Sequence, residues 1–167
     1  MNLKSEQRKN LSSENRQVSK DFILKCFCLF LDFLEIFQIM FQIRDFILSG
    51  NIKEAEKVIN SAYPELLDDD HLLHFYLQIQ HLIELIRRKQ IEQAVVFAQE
   101  DIVEKGDYPE CLPDLERVMG LLAYPEPEKS PFSDLLKQNF RLKVWSRVNE
   151  GMVIKSYPPE FLRNSHL

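Results

Sequence analysis

The chain has 167 residues, 45% hydrophobic and 28% charged, enough for one domain with a real core and a tail. Four glycines and three cysteines exclude collagen-like, low-complexity and disulfide-scaffold classes. A formal net charge of -5 argues against general nucleic-acid binding, which needs a basic surface to displace counterions.

Residues 1–21 are polar and too poor in apolar side chains to fold alone, so the expectation is a disordered tail. Residues 22–41, FILKCFCLFLDFLEIFQIMF, form the most hydrophobic segment. It is long enough to cross a bilayer. Lys25, Asp32 and Glu35 interrupt it, and a mid-span charge costs about 2.5–3.5 kcal/mol on insertion scales. Three readings stand open here: a buried or partner-packed helix, a membrane-associated segment, or a stretch foreign to the fold. The first is preferred. Cys26 and Cys28 lie too close in sequence for a structural bridge, and with Cys111 the count is odd, which favours a reducing compartment.

From Ile43 the pattern is helical. A helix should stop at Gly50, where glycine accepts the left-handed region. A second helix is predicted over 52–62, with Ile52, Ala55, Val58 and Ile59 at helical spacing, before Pro64 interrupts. The run Asp68, Asp69, Asp70 precedes the next helix, and Asp70 is its natural N-cap. Residues 91–105 form another amphipathic helix, closed by Gly106. Pro113 suits the first turn of a helix reaching about Ala123. Ser130–Pro131 predicts an N-cap followed by proline at the first helical position. The last helix carries Phe140, Val144, Trp145 and Val148, decays after Gly151, and is stopped by Pro158 and Pro159. The expected fold class is all-α, a stack of antiparallel helical hairpins.

The helix HLLHFYLQIQHLIELIRRKQ, residues 71–90, holds His71, His74 and His81 with Glu84. Leu72, Phe75, Ile79, Leu82, Ile83 and Ile86 share its main apolar side. His74 and His81 are two turns apart, about 10 Å, too far to share one metal without a second helix. No E-x-x-H pair is present, and His166 lies near the C-terminus. The histidines are therefore expected to pack or face an interface. Leu73, Leu77 and Leu85 line the sides of the same helix, which is expected to be central. Phosphate-binding loops, nucleophile elbows and zinc-protease motifs are absent, so no catalytic residue, metal, cofactor or small-molecule substrate is assigned.

The residues IRDFILSGNIKEAEKVINSAYPELLDDD and LLHFYLQIQHLIELIRRKQIEQAVVFAQEDI resemble a CTLH domain. The most specific string is L-x-F-x-L-x-x-Q-x-x-I-E-L-I-R, Leu73 to Arg87. Downstream, ECLPDLERVMGLLAYPEPEKSPFSDLL and KVWSRVN look like the start of the CRA region. Residues 42–149 thus resemble the scaffold subunits of the glucose-induced degradation (Gid/CTLH) E3 ubiquitin ligase. The resemblance implies a CTLH domain over 42–105, a partial CRA region over 106–154 and a disordered C-terminus over 155–167. It implies a non-catalytic scaffold supporting ubiquitin-dependent degradation in nucleus and cytoplasm. Implied partners are other LisH-CTLH-CRA subunits, among them a Ran-binding-protein-like scaffold and RING subunits, and an armadillo-repeat subunit. The motif residues implied to pack or meet partners are Leu73, Phe75, Leu77, Gln80, Ile83, Glu84, Leu85, Ile86, Arg87 and Trp145. No LisH motif is recognisable in residues 1–41, and EGMVIKSYPPEFLRNSHL after Asn149 does not continue like the family's remaining helices, so a shortened or altered version is expected. The alternative is a helical adaptor anchored to a membrane by residues 22–41.

Overall fold

A computed structural model of the chain describes residues 3–102 and 109–156, with side chains from Leu24 onward except Leu29 and Asp32. Gly106, Pro158, Pro159, His166 and the expected C-terminal tail beyond Ser156 lie outside the described residues. The described residues are mostly helical, without a strand among them. Seven α-helices follow one another: α1 Leu3–Ser49, α2 Ile52–Ala62, α3 Leu66–Asp69, α4 His71–Arg87, α5 Ile91–Phe97, α6 Leu112–Leu122 and α7 Gln138–Ser156. Helix α1 takes in the polar stretch that the composition marks as a tail. The chain divides into two units, Met1–Ile39 and Met40–Leu167.

In the first unit the side chains of Leu24, Phe27, Phe30, Leu31, Phe33, Leu34 and Phe37 are exposed. Phe33 and Phe37 stack at 6.1 Å between ring centroids.

The second unit is built around α4. Its side chains are buried almost all round, from Leu73 and Phe75 through Leu77, Ile79, Leu82 and Ile83 to Leu85 and Ile86. Such a helix needs neighbours on every side, and it touches α2, α3, α5, α6 and α7. Each neighbour offers one stripe: Ile52, Ala55 and Ile59 on α2, Val118 and Leu121 on α6, and Phe140, Val144, Val148 and Met152 on α7. Full burial of such a side chain stabilises by about 1.5–3 kcal/mol. Polar contacts give the directions. Asn51 meets Arg88 and Glu56 meets His74, so α2 runs antiparallel to α4. Glu84 meets Arg141 and Asp70 meets Arg147, so α7 does too. Gly151 lets α7 approach closely, since a Cβ there would stand 3.1 Å from Leu66 Cδ1.

Helix ends follow local chemistry. Helix α1 closes in a Schellman motif: Gly50 N–H donates to Ile47 O at 3.1 Å and Asn51 N–H to Phe46 O at 2.8 Å. Gly50 sits at φ +82°. Asp70 caps α4 by accepting from Leu73 N–H at 2.9 Å. The end of α4 repeats the Schellman pattern, with Lys89 N–H to Ile86 O and Gln90 N–H to Leu85 O. Here the left-handed position, φ 59°, holds a lysine. Replacing that strained residue, Lys89→Gly, is expected to stabilise the domain by roughly 0.5–1 kcal/mol, because the αL penalty outweighs glycine's extra chain entropy. A higher urea midpoint at unchanged slope is the reading that checks it.

Two elements depart from periodicity. The helix expected over 91–105 is α-helical only to Phe97, and Ala98–Ile102 form a π turn. Residues 103–105 lie outside the described residues. Ser130–Pro131 does not open an α-helix. Ser130 Oγ accepts from Phe132 N–H at 3.2 Å, and a 3-10 turn over Ser133–Leu136 follows. The reason is tertiary. Phe132 lies against Gly120 of α6, where an added Cβ would come within 2.5 Å of its ring, and Leu135 is buried. Seating both side chains breaks the helical register until Gln138.

Candidate functional site

The motif I-E-L-I-R occupies the last turns of α4, with Ile83, Leu85 and Ile86 in the core. Glu84 is 2% exposed, and a buried carboxylate persists only with partners. Arg141 of α7 grips it bidentately: Nε donates to Oε1 at 2.8 Å and Nη2 to Oε2 at 2.6 Å. Gln80, one turn earlier, donates to Oε1 at 2.6 Å. Arg87 Nε stands 3.2 Å from Oε2. The i,i+3 pairing with Arg87 is legible from spacing. The principal partner is 57 residues away in sequence and carries no local signal.

The same guanidinium ties in a third helix. Arg141 Nη1 donates to Leu48 O at 2.8 Å, and Gln138 Nε2 donates to that oxygen at 3.2 Å. Arg88 Nη2 donates to Gly50 O at 3.0 Å. Helix α1 has no basic residue in its last turn. Its terminal carbonyls, the negative end of the helix dipole, are instead satisfied by Arg141 of α7 and by Arg88, the C-cap of α4. Glu84, Arg141 and Gly50 therefore form one knot joining the ends of α1, α4 and α7.

The other motif residues are placed as follows. Leu73, Phe75, Leu77 and Gln80 are buried with Glu84, while Arg87 and Trp145 are half-buried. The five buried side chains spend their surface inside the domain. His74 Nε2 lies 3.3 Å from Glu56 Oε1 and 3.1 Å from Gln78 Nε2. His81 meets the Phe97 ring edge-on at 4.8 Å. Among the described residues no three His, Cys, Asp or Glu side chains converge as metal ligands. Cys26 and Cys28 are exposed free thiols; Cys111 is buried, and burial raises its pKa.

Two surface clefts flank α4. One, of about 490 Å³, lies between α4 and α5 and is lined by His81, Leu85, Val96 and Phe97, with Glu92 and Asp101 at its rim. The other, of about 300 Å³, lies between α4 and α7 beside Tyr76, Lys143 and Arg147. Tyr76 donates to Asp114 Oδ2 at 3.2 Å, and burial followed by the Asp114 charge raises its pKa.

Acid should loosen the domain in two steps. Burial lowers the His81 pKa, so below about pH 6.5 the unfolded chain takes the proton first and stability falls until the folded pKa is passed. The hydrogen bond with His74 holds Glu56 below the usual carboxylate range, so its contribution is present above that range and lost as pH falls through its folded pKa. The melting temperature is expected to drop between pH 7.5 and 5.5, and His81→Phe to flatten that upper step while leaving the lower one.

Comparison with known proteins matches residues 36–157 to the domain described as CTLH/CRA C-terminal to LisH motif. The chain is 43% identical over 113 residues to the glucose-induced degradation protein 8 homolog of Nematostella vectensis, covering 67% of this chain and 50% of that protein. It is 38% identical over 106 residues to the protein GID8 homolog of Arabidopsis thaliana, covering 63% and 44%. A more distant similarity, 27% over 112 residues, covers 66% of this chain and 24% of a Ran-binding protein M homolog of Arabidopsis thaliana. The chain spans about half the length of the glucose-induced degradation protein 8 relatives it matches.

Proposed function

Since this chain belongs to the CTLH/CRA family, we propose that it is a non-catalytic scaffold subunit of a Gid/CTLH-type E3 ubiquitin ligase. The observation that carries the reading is the 43% identity over 113 residues to a glucose-induced degradation protein 8 homolog, beside a family match over residues 36–157 that takes in α2 to α7. The geometry supports it. Motif residues are consumed in bracing α4 against its neighbours, which makes a rigid body suited to holding other proteins at fixed spacing. The likeness to a Ran-binding protein M homolog supports partners of related LisH-CTLH-CRA architecture. RING-bearing subunits and an armadillo-repeat subunit complete the proposed assembly, which works in nucleus and cytoplasm and supports proteasomal degradation.

Affinity purification of the tagged chain from cells, with mass spectrometry, tests this. Recovery of Ran-binding-protein-like, RING and armadillo-repeat subunits at comparable abundance is the expected result. A purification that returns none of them, from a soluble and folded bait, sinks the proposal.

A further inference from the structure

The helical stretch from Leu24 to Phe37 carries large apolar side chains that the first unit leaves in solvent: Leu24 is 60% exposed, Phe27 57%, Phe30 56%, Leu31 48%, Phe33 49% and Leu34 45%. Their order is not random. Ile23, Phe27, Phe30, Leu34, Phe37 and Phe41 follow the alternating four- and three-residue spacing of a helix-pairing seam. At 3.6 residues per turn, Phe27, Phe30, Leu34 and Phe37 fall within an arc of about 80°, with Leu31 and Phe33 on its two edges. Lys25 and Glu35 fall on the opposite side of the helix. We propose that this seam pairs with the same seam of a second copy of the chain, helix against helix, making the protein a homodimer through residues 24–37.

Size and charge favour a second copy as the occupant. Half-exposed phenylalanines and leucines offer on the order of 100 Å² each, so six supply about 600 Å² per chain, close to the ~800 Å² per partner of a stable interface. Pairing buries them while Lys25 and Glu35 stay in water. A lipid occupant fits less well. The apolar window runs over Leu24–Ser49, yet Ile43 and Ile47 are fully buried in the core of the second unit. That leaves residues 24–42, about 28 Å of helix, for a hydrocarbon core of ~30 Å, with Lys25, Asp32 and Glu35 inside the span. That polar side, with Lys25, Asp32 and Glu35, carries no excess of basic residues to draw it to an anionic membrane surface.

Sedimentation equilibrium of the full chain under reductant, so that Cys26 and Cys28 cannot cross-link, tests the pairing. The wild type is expected at twice the chain mass at low micromolar concentration. Phe30→Glu with Leu34→Glu is expected to weaken association at least 100-fold at an unchanged melting temperature, because neither residue lies in the second unit's core. Glu35→Lys, on the far side, is expected to dimerise like the wild type. A monomeric wild type at tens of micromolar, aggregates without a defined mass, or a double variant that dimerises equally well overturns the proposal. So does a chain that is monomeric in solution and floats with phosphatidylcholine–phosphatidylserine vesicles in a manner abolished by the double variant; that result assigns the seam to lipid.

Discussion

Arg141→Ala is expected to destabilise the domain by about 3–5 kcal/mol, the usual cost of leaving one partner of a buried ion pair without the other. Glu84 is 2% exposed and takes two of its hydrogen bonds from that guanidinium. Removal also takes from Leu48 O the shorter of its two side-chain donors. Urea unfolding followed by circular dichroism should show the midpoint fall. Glu84→Gln, which keeps the shape and removes the charge, is expected to cost less than Glu84→Ala. The double substitution Glu84→Leu with Arg141→Met should cost clearly less than the two single changes added together, because no charge is then left buried alone. Additive losses would show that the two residues act separately and that the knot is not one unit.

Gly50→Ala is expected to be nearly as damaging, at roughly 3 kcal/mol or more, from the addition of a single methyl group. Two penalties coincide. The left-handed conformation at φ +82° costs an L-residue about 1–2 kcal/mol. The new Cβ would stand 2.6 Å from both Arg141 Nη2 and Glu84 Oε2, so the ion pair must shift. The contrast with Lys89 isolates the second penalty, since Lys89 tolerates φ 59° with an exposed side chain. In an Arg141→Ala background the cost of Gly50→Ala should shrink by the share due to Arg141, while the approach to Glu84 Oε2 remains. Equal costs in both backgrounds would mean that the close approach to Arg141 is relieved freely.

These two expectations bear on function through rigidity. A scaffold holds partners at fixed positions only if its helices hold theirs, and this knot joins three helix ends. On the proposed scaffold role, both variants are expected to lose ligase subunits in co-purification in parallel with their loss of stability.

Much of the second unit was readable from the chain alone. The boundaries of α2, the Gly50 stop, the Asp70 cap and the central place of α4 follow from periodicity and capping chemistry, which act over three or four residues. The family resemblance was carried by the same local strings. What needed the tertiary structure were contacts between residues far apart in sequence. Spacing offers Arg87 or Arg88 to Glu84; the fold supplies Arg141 and sends Arg88 to the end of α1. Spacing begins a helix at Pro131; the seat for Phe132 beside Gly120 replaces it with a 3-10 turn. The histidines drew attention as chemistry-bearing residues, yet Glu84 is the one whose surroundings are costly to build. A local pattern reports which face of a helix is apolar. It does not report which distant side chain neutralises a charge on that face, because that pairing forms only when the helices close around it.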